Sequence, residues 1–239
     1  MTSELEEICK QLHIAGVYQF VQEQYGSDPD IISVLTEACQ FELKIRMMNR
    51  QIRTLKQAGF PTQKRFGELS VEALPDDGRR ILPDLKMLTF IQDTKNVVFM
   101  GNSGTGKTHI AIATGVLACE NDYKVIFKTA AGLVNELLEA KRAGRLTTLM
   151  KQLKKIDLLI LDELGYITFD LEGAELLFQI LAARHEILST VITTNLPFSE
   201  WIKVFHDKTL TAALLDRITH RAIVVNMNGQ SYRRRVKNP

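Results

Sequence analysis

One short segment near the middle of the chain could bind the phosphates of a nucleotide. Residues 101–108 read Gly-Asn-Ser-Gly-Thr-Gly-Lys-Thr, the spacing G-x-x-x-x-G-K-[ST] of a phosphate-binding loop. Glycines let backbone N–H groups turn inward around phosphate oxygens, and the helix that follows presents its positive end to the same anion. Lys107 would reach the β- and γ-phosphates, and the Thr108 hydroxyl would ligate Mg²⁺. The predicted nucleotide contacts are Gly101, Asn102, Ser103, Gly104, Thr105, Gly106, Lys107, Thr108 and His109.

Two acids could supply the metal ligand and the base of a hydrolysis reaction. The apolar run 156–161 is followed directly by Asp162 and Glu163. A buried strand that ends in carboxylates is typical of the Walker B element, in which one acid holds Mg²⁺ and another polarises the attacking water. An exposed acidic turn after a core strand is the alternative, but the phosphate-binding loop upstream favours catalysis. We therefore expect Asp162 to hold Mg²⁺ and Glu163 to act as general base.

A polar amide ends another β-prone run. Residues 190–194 read Thr-Val-Ile-Thr-Thr, and Asn195 follows them. If this strand lies beside the strand before the phosphate-binding loop, Asn195 could donate a hydrogen bond to the attacking water, the role called sensor 1. An ordinary asparagine at a strand end, in the turn before Pro197, is the alternative.

An arginine near a helix end could act on a neighbouring active site. Arg217 could stabilise the charge on the transferred phosphoryl group from an adjacent subunit. A salt bridge with Asp216 or a solvated surface charge is the alternative, and Arg221 and Arg184 are weaker candidates for the same role.

These residues need a framework that brings several strand ends together. From residue 96 onward, β-prone runs alternate with helical patterns, which predicts a parallel sheet covered by helices on both faces. The predicted strands are 96–100, 124–129, 157–161, 190–194 and 222–226, and the predicted helices lie near 107–120, 131–153, 172–187 and 208–220.

The first part of the chain is predicted to be helical. Helices are expected up to about residue 13, over 15–25, and from 31 to about 58, where Gly-Phe-Pro ends the pattern. Residues 66–95 form a connector. The prediction therefore divides the chain into a helical region, 1–65, for DNA binding or assembly and a nucleotide-binding domain, 66–239.

Positive charge is concentrated in the long predicted helix and just after it. Residues 43–65 contain neither Asp nor Glu, and Arg46, Arg50 and Arg53 share one helix face at spacings i, i+4 and i+7. Such a face could follow a DNA phosphate backbone, and a solvated basic surface is the alternative. The predicted DNA-binding residues are Lys44, Arg46, Arg50, Arg53 and Lys56. A second basic cluster, 233–237, could bind DNA or form a solubilising tail.

Composition fits a globular protein in a reducing compartment. The 239 residues are 45% hydrophobic and 24% charged with a net charge of +2, and no apolar run approaches the ~20 residues of a membrane helix. The N-terminus is acidic and polar, unlike a secretory signal, and the three cysteines have neither metal nor redox spacing. We expect a cytoplasmic protein without membrane contact.

The motifs together resemble those of a known family. The chain resembles the IstB-like ATP-binding proteins, helper ATPases of bacterial insertion sequences, which are similar to the DnaC-like branch of the AAA+ ATPases. The matching segments are Gly-Lys-Thr-His at 106–109, Leu-Asp-Glu-Leu-Gly-Tyr at 161–166, Leu-Phe-Gln at 177–179, Thr-Asn at 194–195 with Phe-Ser-Glu-Trp at 198–201, Leu-Asp-Arg at 215–217 and Gly-Gln-Ser-Tyr-Arg at 229–233.

This resemblance implies a fold, an activity and partners. The implied fold is an AAA+ P-loop domain, and the implied activity is slow ATP hydrolysis with Mg²⁺. Implied partners are duplex DNA, a transposase and further copies of the chain. It also supports Asn195 as sensor 1 and Arg217 as the trans arginine, whereas the short segment after Arg217 predicts little or no C-terminal lid. A helicase loader acting on a replicative helicase, or a scaffold with negligible turnover, are the alternative functions.

Overall fold

The chain divides into two compact units. The computed structural model describes residues 2–232, so the basic cluster 233–237 lies outside the described residues. The first unit ends at Arg53 and the second begins at Thr54, inside one long helix. The sequence predicts a boundary at residue 65, but Leu55, Ala58 and Phe60 pack into the core of the second unit. These apolar contacts assign the end of the long helix to the second unit.

The first unit consists of helices. They are α1 (Thr2–Gln11), α2 (Ala15–Tyr25) and the first part of α3 (Pro29–Ala58), as predicted. A small core holds the unit together and contains Leu5, Cys9, Leu12, Val21 and Ile32. None of the helices within residues 2–232 is long and apolar enough to cross a membrane.

The second unit begins with the connector, which folds into short helices. They are α4 (Asp76–Arg80), α5 (Leu82–Met87) and α6 (Thr89–Gln92), and short 3-10 turns precede them at Phe66–Glu68 and Val71–Ala73. Leu82, Leu85, Phe90 and Ile91 are buried in the core beneath the sheet. The connector is therefore part of the nucleotide-binding unit.

A parallel sheet forms the centre of the second unit, as predicted. Its strands are β1 (Asn96–Met100), β2 (Val125–Thr129), β3 (Leu158–Leu164), β4 (Ser189–Thr194) and β5 (Ala222–Asn226). Their order is β2-β3-β4-β1-β5, and every neighbouring pair is parallel. Strand β1 therefore lies between β4 and β5, and Met100 pairs with Thr194 at the carboxyl end. Because the strands are parallel, their carboxyl ends lie at one edge of the sheet. The order makes the ends of β3, β4 and β1 neighbours there.

Helices cover both faces of this sheet. They are α7 (Lys107–Glu120), α8 (Ala130–Arg142), α9 (Leu146–Leu153), α10 (Leu171–Arg184), α11 (Ile202–Phe205) and α12 (Lys208–Thr219). Side chains alternate along β1, so that Val97 and Phe99 join the core under α7 while Val98 joins the core under α8 and α10. Burial on both faces explains the nearly continuous apolar runs of the strands.

One predicted helix is in fact two. The sequence pattern predicts a single helix over 131–153, but α8 ends at Arg142 and α9 begins at Leu146. Gly144 adopts a positive φ of 66°, which ends α8 because a right-handed helix cannot continue through that conformation.

Candidate nucleotide site

The phosphate-binding loop joins β1 to α7, in the strand–loop–helix context that the motif requires. Gly104 and Gly106 have φ values of 82° and 96°, a region that other residues rarely adopt. A Cβ atom at Gly106 would lie 2.8 Å from Leu74 Cδ2, and one at Gly101 would lie 2.3 Å from the Met227 carbonyl carbon. The loop therefore needs glycine for both its conformation and its close packing.

The loop lysine is held against the loop itself. Lys107 begins α7 and is only 6% exposed. Its Nζ donates hydrogen bonds of 2.7 Å to the carbonyl oxygens of Gly101 and Asn102. The ammonium group is thus fixed over the start of the loop, as a phosphate-binding charge requires.

A hydrogen-bond network joins the loop to the two acids near the carboxyl end of β3. Thr108 Oγ1 donates to Asp162, at 2.9 Å from Oδ1 and 3.2 Å from Oδ2. Asp162 is 4% exposed, and Thr193 Oγ1 on β4 also donates to its Oδ1. The structure therefore brings the two predicted metal ligands, Thr108 and Asp162, into direct contact at the carboxyl edge of the sheet.

Glu163 lies beside this network because β3 is irregular. The pairing of β3 with β4 shifts between Leu161 and Leu164, and Glu163 has a positive φ of 62°. In a regular strand Asp162 and Glu163 would point to opposite faces, and a bulge re-aims one side chain. The Glu163 N–H donates to Thr193 Oγ1 at 3.0 Å, which fixes this conformation. The Glu163 side chain is exposed to the cavity described next.

A cavity of about 470 Å³ opens over the loop, a size suited to a small-molecule ligand. Residues Ser103 to His109 line it, together with Glu163 and Thr193. Gly101 and Asn102 do not line the cavity, and their carbonyl oxygens accept hydrogen bonds from Lys107 Nζ. The Asn102 N–H donates to Asn228 Oδ1 at 3.2 Å. His109 Nε2 lies 3.3 Å from the Arg65 carbonyl oxygen.

The sequence analysis missed one wall of this cavity. Besides the motif residues, the cavity is lined by the segment before the connector, by the connector, by the residue Tyr166 that follows the acids, and by the C-terminal segment. These further lining residues are Thr62, Lys64, Glu68, Leu69, Ser70, Ala73, Leu74, Tyr166 and Tyr232. The Tyr232 N–H donates to the Gly104 carbonyl at 2.9 Å. No helical lid follows β5 as far as Tyr232, so this segment packs on the loop directly. The only signal for it was the Gly-Gln-Ser-Tyr-Arg match of the family resemblance.

Asn195 lies at the predicted end of β4 but apart from the cavity lining. Its side chain is exposed. The amide oxygen lies next to Gly165, since a Cβ atom added at that glycine would be 3.3 Å from Asn195 Oδ1. Thr193, two positions earlier, is the β4 residue that contacts Asp162 and lines the cavity. The sensor 1 role of Asn195 stays a prediction.

Arg217 is partly exposed near the end of α12. Its Nη1 donates to the Ala213 carbonyl at 2.9 Å, and its guanidinium carbon lies 5.2 Å from the centroid of the Phe178 ring on α10. Among the described ion pairs, none joins Arg217 to Asp216, which was the alternative partner. Arg221 is exposed just before β5. Both arginines are therefore accessible from solution.

Arg184 is excluded as a trans arginine because it is buried. It is 2% exposed at the end of α10. Its guanidinium donates to the carbonyl oxygens of Leu153, Ile156 and Ser189 at 2.7 to 2.9 Å. Burial lowers the pKa of Arg184 to about 10, so the group stays protonated at neutral pH. Our weaker candidate is thus a structural clamp between α10, the end of α9 and the start of β4.

We expect Arg184→Leu to destabilise the protein by about 3 kcal/mol or more, because several buried carbonyl groups lose their donors. Chemical denaturation followed by circular dichroism measures the change. Arg221→Leu is the matched control, and loss of an exposed arginine should cost less than about 0.5 kcal/mol. Equal stability of the two variants would contradict the clamp.

The predicted DNA-binding residues lie on α3. Lys44, Arg46, Arg50, Arg53 and Lys56 are all exposed, and the helix is continuous through them. Arg46 is engaged within the first unit, since its Nε donates to Glu42 Oε1 at 2.7 Å and its Nη1 to the Leu12 carbonyl at 2.9 Å. Lys64 and Arg65 do not extend this surface, because Lys64 lines the cavity and Arg65 pairs with Glu120.

Two solved structures have a fold similar to that of this chain. The crystal structure of the DnaI protein aligns with a TM-score of 0.59 and 20% identity, over 69% of this chain and 91% of that chain. The crystal structure of the DnaC helicase loader aligns with a TM-score of 0.54 and 24% identity, over 64% and 91%. At these identities the likeness supports the fold alone.

Sequence relatives are named as proteins of insertion sequences. A protein of Bacillus thuringiensis subsp. berliner, named as an ATP-binding protein of insertion sequence IS232, is 35% identical over 98% of this chain and 93% of its own length. The corresponding protein of insertion sequence IS5376 from Geobacillus stearothermophilus is 34% identical over 99% and 96%. The family model described as IstB-like ATP binding protein matches residues 11–239. This chain, with its phosphate-binding loop and paired acids on a parallel sheet, belongs to the IstB-like ATP-binding proteins of insertion sequences.

Proposed function

We propose that this chain is an ATP-hydrolysing, DNA-binding assembly factor that assists the transposase of an insertion sequence. The observation that carries the proposal is the contact between Thr108 and Asp162, which joins the phosphate-binding loop to the acidic end of β3. In a family of insertion-sequence proteins, an ATPase site points to a helper of the transposition reaction.

The residues of the loop fit ATP and Mg²⁺. The glycine conformations leave room for phosphates against the backbone, and Lys107 can exchange its two carbonyl acceptors for phosphate oxygens. Thr108 and Asp162 offer a hydroxyl and a carboxylate, the oxygen donors that Mg²⁺ prefers, and would hold it between them. Bound Mg²⁺ neutralises charge on the phosphates during transfer.

Glu163 is the base that we assign to the reaction. Its carboxylate faces the cavity beside the loop, where it can accept a proton from the water that attacks the γ-phosphate. Thr193 holds the backbone of Glu163 and the carboxylate of Asp162 at the same time, and so it positions both acids. A carboxylate held in this position favours ATP hydrolysis over ATP binding without turnover.

Duplex DNA would bind to the exposed basic face of α3. Arg46, Arg50 and Arg53 repeat at about one helical turn, which lets them follow one stretch of phosphate backbone. Contacts of this kind are largely independent of base sequence and weaken as salt rises.

We propose further that Arg217 completes the ATP site of a neighbouring protomer. It is partly exposed, and stacking on Phe178 holds its guanidinium at the protein surface. Mixing Lys107→Ala with Arg217→Ala protein should restore part of the ATPase activity that each lacks alone. In an equal mixture, about one quarter of head-to-tail interfaces regain an intact pair.

The control for this mixing experiment is Arg221→Ala, the other exposed candidate. Arg217 is identified as the trans residue by two results together. The mixture of Lys107→Ala and Arg217→Ala protein recovers ATPase activity, and the Arg221→Ala protein is active by itself. If no ratio of the first pair recovers activity while assembly by light scattering is intact, Arg217 acts in its own protomer or not at all.

The proposed function is tested with a transposase of the insertion-sequence class that we propose as the partner of this chain. Strand transfer of a transposon-end DNA should rise when the wild-type protein and ATP are both added, and the protein should bind duplex in preference to single-stranded DNA. Preference for single strands, together with loading of a replicative helicase and no effect on strand transfer, would instead establish a helicase loader.

A further inference from the structure

Three metal-binding side chains meet on the second unit, away from the nucleotide cavity. His185 and Glu186 follow α10 and precede β4, and His220 follows α12 and precedes β5. The strands are parallel and the phosphate-binding loop lies at their carboxyl ends. The three residues therefore lie at the opposite edge of the sheet and play no part in the proposed ATP site.

The ligand atoms of these side chains are close together. Glu186 Oε1 lies 3.3 Å from His220 Nδ1 and 4.0 Å from His185 Nε2, and the three ligand atoms all lie within 4.8 Å of one another. Zinc bonds of about 2.0–2.2 Å in a tetrahedron separate neighbouring ligands by ~3.4 Å. Side-chain rotations that move the ligand atoms by about an ångström would bring them to these distances, with no change in the backbone.

The backbone holds these side chains together from two directions. Arg184 is clamped in the core, and its carbonyl oxygen accepts hydrogen bonds from the N–H groups of Ile187 and Leu188. This turn gives Glu186 a positive φ of 59°, which a residue other than glycine adopts only at an energetic cost. On the other side, the His220 N–H donates to the Asp216 carbonyl at 3.0 Å. The turn thus directs Glu186 toward an anchored His220.

The donor set selects the kind of ion. Two imidazoles and one carboxylate suit Zn²⁺ and its neighbours in the first transition row, whereas Mg²⁺ and Ca²⁺ prefer oxygen donors. The side chains of His185, Glu186 and His220 are 25%, 51% and 56% exposed, so an ion and a completing water can reach them from solution.

We propose that His185, Glu186 and His220 form a binding site for a divalent transition-metal ion of the Zn²⁺ class. The ion joins the end of α10 to the end of α12, two helices that already pack against each other. It acts as a clip on the second unit, independent of nucleotide.

Binding is measured on the full chain without a polyhistidine tag, without nucleotide and in excess Mg²⁺, which saturates oxygen-only sites. Calorimetric titration with Zn²⁺ should give one ion per chain and raise the melting temperature. Co²⁺ should give visible absorption bands of a site with nitrogen ligands. Glu186→Gly keeps the positive φ while removing the carboxylate, and it should weaken Zn²⁺ binding by at least the ~10- to 100-fold lost with an outer-shell partner.

His185→Ala and His220→Ala should have the same effect, whereas His206→Ala, which removes an exposed histidine elsewhere, should bind Zn²⁺ like the wild type. Unchanged ATP binding and circular dichroism verify that the variants fold. The proposal is overturned if the wild-type chain takes up no Zn²⁺ at micromolar concentration. Equal weakening by His206→Ala and by the three site variants overturns it as well.

Discussion

Glu163→Gln should slow ATP hydrolysis by about 10²-fold or more, because general-base help of that size is lost with the carboxylate. The amide keeps the shape of the side chain, and the bond from the Glu163 N–H to Thr193 Oγ1 keeps the unusual backbone conformation. ATP affinity should therefore stay near wild type while the DNA-bound state lasts longer. Single-turnover hydrolysis and calorimetric ATP titration separate the two quantities.

Glu68→Gln is the matched control, since Glu68 is another exposed carboxylate on the same cavity, on the connector side. It removes the same charge from the site, so any general electrostatic effect on turnover would appear in both variants. A selective loss in Glu163→Gln assigns the base. Wild-type turnover in that variant would mean that another residue positions the water.

Charge reversal of Arg46, Arg50 and Arg53 to Glu should abolish DNA binding and leave ATP binding intact. The three arginines are exposed on α3 in the first unit, whereas the phosphate-binding loop belongs to the second. Wild-type affinity should fall with salt at a slope of about −0.9 per phosphate neutralised.

Lys151, Lys154 and Lys155 provide the matched control for this variant. They are exposed on or just after α9, and their reversal to Glu changes the net charge by the same amount. Fluorescence anisotropy with labelled duplex should find DNA binding lost only in the α3 variant. If both triple variants bind duplex like wild type, α3 is not the DNA-binding surface, and a protein-docking role for the first unit becomes the better explanation.

Much of the second unit could be predicted because its signals are local. Strands β1 and β5 have the predicted bounds, and β2, β3 and β4 begin within one residue of them. Apolar runs that alternate with helical patterns have few structural solutions, so the parallel sheet followed from the alternation. The break between α8 and α9 was missed because only the positive φ of Gly144 marks it, and single glycines also occur inside helices.

The domain boundary shows where local signals fail. The helical pattern of α3 runs without interruption to Ala58, so the sequence offers no mark at Arg53. Leu55 and Ala58 belong to the second unit because they pack against its hydrophobic core. That core is formed by residues far along the chain, so a local pattern cannot predict the contact. Arg184 was misjudged for the same reason, because its acceptors at Leu153 and Ser189 are remote in sequence or on another element.

By itself, the sequence determined the phosphate-binding loop, the two acids near the carboxyl end of β3, the alternation of strands and helices, and the family. These depend on residue type at fixed short spacing, which is what a phosphate, a metal ion and a strand–helix unit require. Only the tertiary structure decided that Thr193 holds both acids, that a bulge turns Glu163 into the cavity, and that Tyr232 packs on the loop. Each of these is a contact between distant segments, and such contacts are fixed by how the strands pair and the cores close.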